Sequence, residues 1–185
     1  MRIYRFLIAA AVLLAAATPA YAPAQVESTP IPAPKKPNFS SMEFMVGTWT
    51  CSTKSSRRPA PYVTSVTYTM DPSGWWMNQT STTSGVKWSP TKITAMDKIT
   101  YDSDSRRWVD VNYSTPNGYG LSFATGWNGD KITWHDVSFA PTADISSQTD
   151  TTVTKVSETK MTSSSTFTEA KGGRVVSVSG VCTKH

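Results

Sequence analysis

Two cysteines constrain this chain more than any other feature. Cys51 stands in FMVGTWTCSTK and Cys182 in VSGVCTKH, 131 residues apart, and together they bracket nearly all the residues with strand character. If the two are bonded, the first and last strands are neighbours, and a run of antiparallel strands whose ends meet is a closed barrel. In the chain-entropy picture a bond across so long a loop stabilises by about 4 to 5 kcal/mol. Whether it forms depends on compartment, since an even cysteine pair normally pairs in an oxidising environment.

The start of the chain speaks to that compartment. Residues 1–24 read as a secretory signal: Arg2 and Arg5 form the basic region, and Phe6 to Ala17 is an apolar run of 12 residues. A spanning helix needs about 20 apolar residues, so this run is too short for one. Cleavage is expected after Ala24, or after Ala22, where the following Pro23 is unfavourable. The mature protein is then expected to be periplasmic or secreted, without stable membrane insertion. Gln25–Asn38, punctuated by Pro30, Pro32, Pro34 and Pro37, reads as an extended Pro-rich linker. The domain proper is expected over 39–185.

Within that domain β-branched residues and serines dominate, and Gly, Pro, Asn and Asp clusters recur about every 8 to 12 residues, the spacing of an all-β sandwich or barrel. Ser40 and Ser41 before MEFM predict a capped helical turn that plugs a barrel end. Beyond it lie Val66, Tyr68 and Met70 in alternation, the turn DPSG, and a strand from Trp75. Lys92 to Tyr101 places Ile93, Ala95, Ile99 and Tyr101 on one face. After DSDSRR, Val109, Val111 and Tyr113 alternate with Trp108, Asp110 and Asn112. In the hairpin Tyr119 to Phe139, Leu121, Phe123 and Trp127 share one face and Gly120, Ser122, Ala124 and Gly126 the other, with Asn128 and Gly129 at the reversal. Three more strands follow, near Asp150 to Glu158, Lys160 to Thr168 and Arg174 to Thr183. The expectation is an all-β, closed antiparallel up-and-down barrel of about 8 to 10 strands. Closure also removes the exposed edges that promote aggregation.

A short helical turn leading into Gly47-Thr48-Trp49 at the start of an antiparallel meander resembles the Gly-x-Trp element of the calycins, the group of lipocalins, fatty-acid-binding proteins and nitrobindin-like barrels. The run YDSDSRRWVDVNYSTPNGYGLSFATGWNGDKITW resembles small secreted bacterial barrels of that group. The resemblance implies a barrel over Phe39 to His185, and it implies that Lys184, as a basic residue of the last strand, covers Trp49. It implies a fold more than a function.

Composition narrows the function classes. Removing Arg2 and Arg5 from the 18 basic residues leaves 16 against 13 acidic, a balance of +3. That is too small to draw nucleic acid or a membrane surface by field alone. The 38% hydrophobic content and the seven tryptophans suit a domain with a core.

Few residues stand in a pattern that supports chemistry. His135 and Asp136 are strand neighbours and point to opposite faces, so they form no dyad. No metal-ligand cluster is present, and Asp97, Asp102, Asp104 and Asp110 lack calcium-loop spacing. The serines have no nucleophile-elbow context and no Gly-rich phosphate loop occurs, so no catalytic residue is assigned. Haem needs a histidine ligand inside the barrel; only His135 and His185 are available, and no cofactor is expected. Arg57, Arg58, Arg106 and Arg107 form two basic pairs in loops. The remaining set is aromatic: Tyr68, Trp76, Tyr101, Tyr113, Phe123 and Trp134, with His135, are the candidate ligand-binding residues of a cavity. The leading expectation is a non-catalytic barrel that holds a small apolar or amphipathic molecule. The alternative is a protein-interaction module with a filled barrel, acting through loops. An enzyme ranks third.

Overall fold

A chain rich in Thr, Ser and Val has its χ1 freedom least restricted on a pleated surface, and the computed structural model is built almost wholly of strands. It describes residues 33–58, 60–87, 89, 91–140, 145–169 and 172–185. The expected signal segment and most of the Pro-rich linker lie outside these residues, as does Trp88.

The strands are β1 (Gly47–Ser55), β2 (Tyr62–Met70), β3 (Met77–Thr83), β4 (Ile93–Asp102), β5 (Arg107–Ser114), β6 (Gly118–Ala124), β7 (Trp127–Asn128), β8 (Lys131–Ala140), β9 (Ile145–Ser157), β10 (Lys160–Thr168) and β11 (Val175–Lys184). Each pairs antiparallel with its neighbours. β6 hydrogen-bonds β8 directly, and β1 pairs with β11, so ten strands close into an up-and-down barrel with the two-residue β7 as a side ribbon. At the closing seam Cys51 faces Cys182 in register, and the two are disulfide-bonded. The covalent bond therefore fastens a seam that backbone hydrogen bonds already close.

One end is plugged by a 3₁₀ turn, Glu43–Met45. Met42, Phe44 and Met45 are buried there with Phe39. The turn is not capped by a serine: Met42 occupies the N-cap position without a side-chain bond, while the Asn38 side chain accepts from the Ser40 amide at 3.0 Å. Trp49 is fully buried beneath the plug and donates its indole N–H to the Met45 carbonyl at 2.7 Å. Lys184 reaches across from β11, donates to the Phe44 carbonyl at 2.9 Å and holds its Nζ 5.5 Å from the Trp49 ring centroid. First strand, plug and last strand are thus tied at one point.

Which face of a strand points inward is decided at this same end. Trp108 is buried against Phe39 and Tyr101, with ring centroids 5.2 and 5.3 Å away. Because side chains alternate with period two, burying Trp108 carries Asp110 and Asn112 to the inside of β5 and leaves Val111 and Tyr113 exposed. On β6 Ala124 and Ser122 are buried, while Leu121 is exposed. Trp127 would share the outward phase of Phe123 in an unbroken strand. The chain turns at Gly126 (φ 127°), and the Trp127 ring packs edge-on against Phe44 at 5.4 Å instead. The strand expected from Trp75 begins at Met77, because the DPSG turn extends through Trp76, whose carbonyl accepts from the Asp71 amide at 2.8 Å.

Candidate functional site

Inside the barrel, above the plug, the side chains are not uniformly apolar. On β6 the wall is closely packed at Gly120, where an added Cβ would lie 2.9 Å from the Val137 carbonyl oxygen and from Asn112 Oδ1. Two adjoining cavities lie among these inward side chains.

The wider cavity, about 330 Å³, lies beside the disulfide between β1–β3 and β10–β11. Val66, Val153 and Met161 give it an apolar side, and Thr64, Ser81, Thr83 and Ser163 a hydroxyl side. The inner cavity, about 150 Å³, sits next to the plug and is lined by Met45, Ile99, Trp134, Thr151, Asp110 and Asp136. Tyr68, Gln79 and Val153 line both, so they form the partition between them. A larger hollow of about 700 Å³, bordered by Lys54, Arg58 and the serines of β10 and β11, lies at the far end of the strands, away from the plug.

The inner cavity is acidic by construction. One belt of cross-strand partners runs Ile99, Asp110, Ser122, Asp136, Thr149 across β4, β5, β6, β8 and β9. Directly opposed residues share a face, so both carboxylates point inward with only the small Ser122 between them. Asp97, on β4, lies opposite Asn112, two residues from Asp110's level, and accepts from the Gln79 amide at 2.6 Å. The Thr151 hydroxyl donates to Asp136. By contrast Asp110 Oδ1 and the Thr149 hydroxyl are buried and have no partner among the described residues.

Burial dominates the ionisation of this group. It pushes Asp97 up to about 7, against the opposing bond from Gln79 and with further help from the charge of Asp136. Asp110 goes up to about 8, first through burial and then through Asp97 and Asp136. Asp136 is raised by burial, partly countered by bonds from Ser122 and Thr151. The buried Tyr68 phenol is raised as well, by burial and then by Asp97 and Asp110. No cation contributes to the shifts of Asp97, Asp110 or Tyr68.

The aromatic candidates divide between inside and outside. Tyr68 and Trp134 line the cavities. Tyr101 packs on Trp108 beside the core, and Trp76 is half-buried in the turn before β3. Tyr113 lies on the outer face, 55% exposed, and donates its hydroxyl to Met96 Sδ. Phe123 is also outside, under the Arg107 guanidinium at 3.8 Å. His135 is exposed and bonded to Asp150 at 2.8 Å, with Asp136 on the opposite face. His185 contacts the Thr50 hydroxyl at 2.7 Å, so neither histidine of the chain offers an axial nitrogen to the interior. Among the described residues no group of three or more His, Cys, Asp or Glu is disposed to hold a metal ion.

The carboxylates are the residues that sequence reasoning passed over. Their signal was phase: Asp97 lies two residues from Ile99, Asp110 two from Trp108 and Asp136 two from Trp134, each sharing its strand face with a large apolar side chain. No known family model matches the chain, and no curated protein matches it.

Proposed function

We propose that this protein is a non-catalytic, calycin-like carrier of the periplasm or extracellular space, holding a small amphipathic molecule inside its barrel. The observation that carries this reading is the pair of adjoining interior cavities with mixed lining. Their volumes, about 330 and 150 Å³, suit a small ligand, and an apolar wall with a few convergent polar groups is the usual build of a binding pocket. The calycin relationship is supported by Gly47-Thr48-Trp49 under a helical plug, with Lys184 over the Trp49 ring. Export is supported by the apolar leader of residues 6–17 and by the disulfide, which persists in an oxidising compartment.

The test is native mass spectrometry of the full chain produced with its own leader and purified from the periplasm, followed by solvent extraction. The expected result is a chain beginning at Gln25 or Pro23 that carries a small-molecule adduct released on denaturation. A chain of bare mass whose tryptophan fluorescence responds to no amphipathic probe would overturn the carrier reading.

An outer-face observation favours a second reading, a protein partner. Met96, Tyr113, Tyr119 and Phe139 are successive cross-strand partners on β4, β5, β6 and β8, and all are exposed. Such a contiguous apolar row marks interaction surfaces more often than scattered residues do. Co-purification lost on Tyr119→Ser, with the interior adduct retained, would separate the two.

A further inference from the structure

The proposed carrier reading leaves the ligand's chemistry open, and the inference drawn here rests on that reading. We propose that the inner cavity receives a protonated amine, with Asp110 and Asp136 facing its ammonium group and its apolar portion lying past Tyr68 in the wider cavity.

Three observations point to a cation. Both carboxylates sit on one inward belt, separated by Ser122, so a group placed over β6 meets both. Strands two apart in a sheet are separated by roughly 9.6 Å, which leaves room between the two carboxylates for an ammonium group with a hydrogen bond to each side. Next, two polar groups of this belt are left without partners. Asp110 Oδ1 is one, and the other is the hydroxyl of Thr149, a residue 92% buried directly opposite Asp136. Buried polar atoms are almost always satisfied, so the Asp110 orphan on the inner cavity marks where a ligand or water donates, and Thr149 stands on the same belt, opposite Asp136. Finally, the wall supplies no counter-charge: Gln79, Ser122 and Thr151 are neutral, and the basic Lys184 and Lys155 are committed to the plug, on the Phe44 carbonyl and over the Phe44 ring.

An organic cation fits better than a metal ion. Two carboxylates are too few donors for a metal ion, and no group of three or more His, Cys, Asp or Glu disposed to hold one occurs among the described residues. The aromatic rings of Tyr68 and Trp134 are the usual neighbours of an ammonium group in such pockets. The cavity partition then orients the ligand, head toward the plug and tail toward the disulfide.

The experiment compares octylamine, octanol and octanoate, which share one apolar chain and differ only in head charge, by Trp fluorescence and calorimetry on the mature protein at pH 8.5. The expected order is octylamine tightest, by about 10-fold or more over octanol, with octanoate weakest. Asp110→Asn and Asp136→Asn are each expected to erase that preference, bringing octylamine binding down to about the octanol level. Both remove a buried charge, so both are expected to melt at or above the wild-type temperature, and loss of amine binding in them is not loss of fold. Equal binding of octylamine and octanol, or preference for octanoate, overturns the amine assignment and leaves the carrier reading standing. Absence of binding by all three overturns both. An amine preference that survives in both variants also overturns the assignment of these carboxylates.

Discussion

Asp110 occupies a position where burial and like charge both oppose ionisation. A carboxyl whose folded pKa is raised above its unfolded value binds more protons when folded, so its contribution to stability falls as pH rises. The window runs from about 4, the unfolded value, to about 8, the folded one. The slope within it is at most about 1.4 kcal/mol per pH unit per group. Asp110→Asn is therefore expected to match wild type near pH 4 and to exceed it in urea midpoint at pH 8.5. A variant that loses as much stability at pH 8.5 as at pH 4 would contradict a strained carboxylate. The exposed Asp102 behaves oppositely: the Ser105 hydroxyl and the Ser105 and Asp104 amides hold it below the usual carboxylate range. Its part in turn formation was plain from DSDSRR, because an Asx turn is a local property.

Gly47 is the other residue whose role is local in sequence but tertiary in cause. Its φ of 126° is open to glycine alone, and an added Cβ would lie 2.8 Å from Lys184 Cε. Gly47→Ala is expected to cost about 1 to 3 kcal/mol through backbone strain and displacement of the Lys184 latch. Urea unfolding at neutral pH measures it, with Lys184→Met as the control for the latch alone.

At the scale of the element, β5 shows how alternation can be read correctly without revealing which face points inward. Its two alternating faces were legible: one carries Val109, Val111 and Tyr113, the other Trp108, Asp110 and Asn112. An apolar face normally turns inward, yet here the acidic one does. One tryptophan filling the space between Phe39 and Tyr101 outweighs three smaller residues left partly exposed, since burying a large aromatic removes 150 Å² or more from water. Val111→Thr is accordingly expected to change stability by no more than about 0.5 kcal/mol. Trp108→Ala is expected to cost about 3 to 5 kcal/mol. Paired equilibrium unfolding curves decide it, and a costly Val111→Thr would mean that the outer face is covered by something. The aromatic candidates scattered for the same reason. Tyr68 and Trp134 share a face with the core, whereas Tyr113 and Phe123 sit one position out of phase, and a slip of one residue exchanges inside for outside.

For the whole molecule, closure is secured three times at one seam: by the β1–β11 hydrogen bonds, by Cys51–Cys182 and by Lys184 on the plug. Reduction is expected to lower the denaturant midpoint by the equivalent of at most about 4 to 5 kcal/mol. The far-ultraviolet spectrum should stay that of a barrel under native conditions, because the hydrogen-bonded seam persists without the bond. Two titratable thiols in folded protein kept under air would refute the bridge.

Antiparallel order, an approximate strand number, most turns and the neighbourhood of the two ends were available from the chain alone. Each depends on near neighbours or on a single pair of cysteines, and alternation, turn chemistry and oxidation act wherever the strands lie. The inner carboxylates, the partition between two cavities and the outward turn of Tyr113 and Phe123 were not available. Those follow from phase, and phase is set by which large side chain of each strand wins a place at the plugged end, a competition among residues distant in sequence. FMVGTWTCSTK thus declared the start of a barrel by itself, but only the packing of Trp108, which sets the phase of β5, put Asp110 inside it.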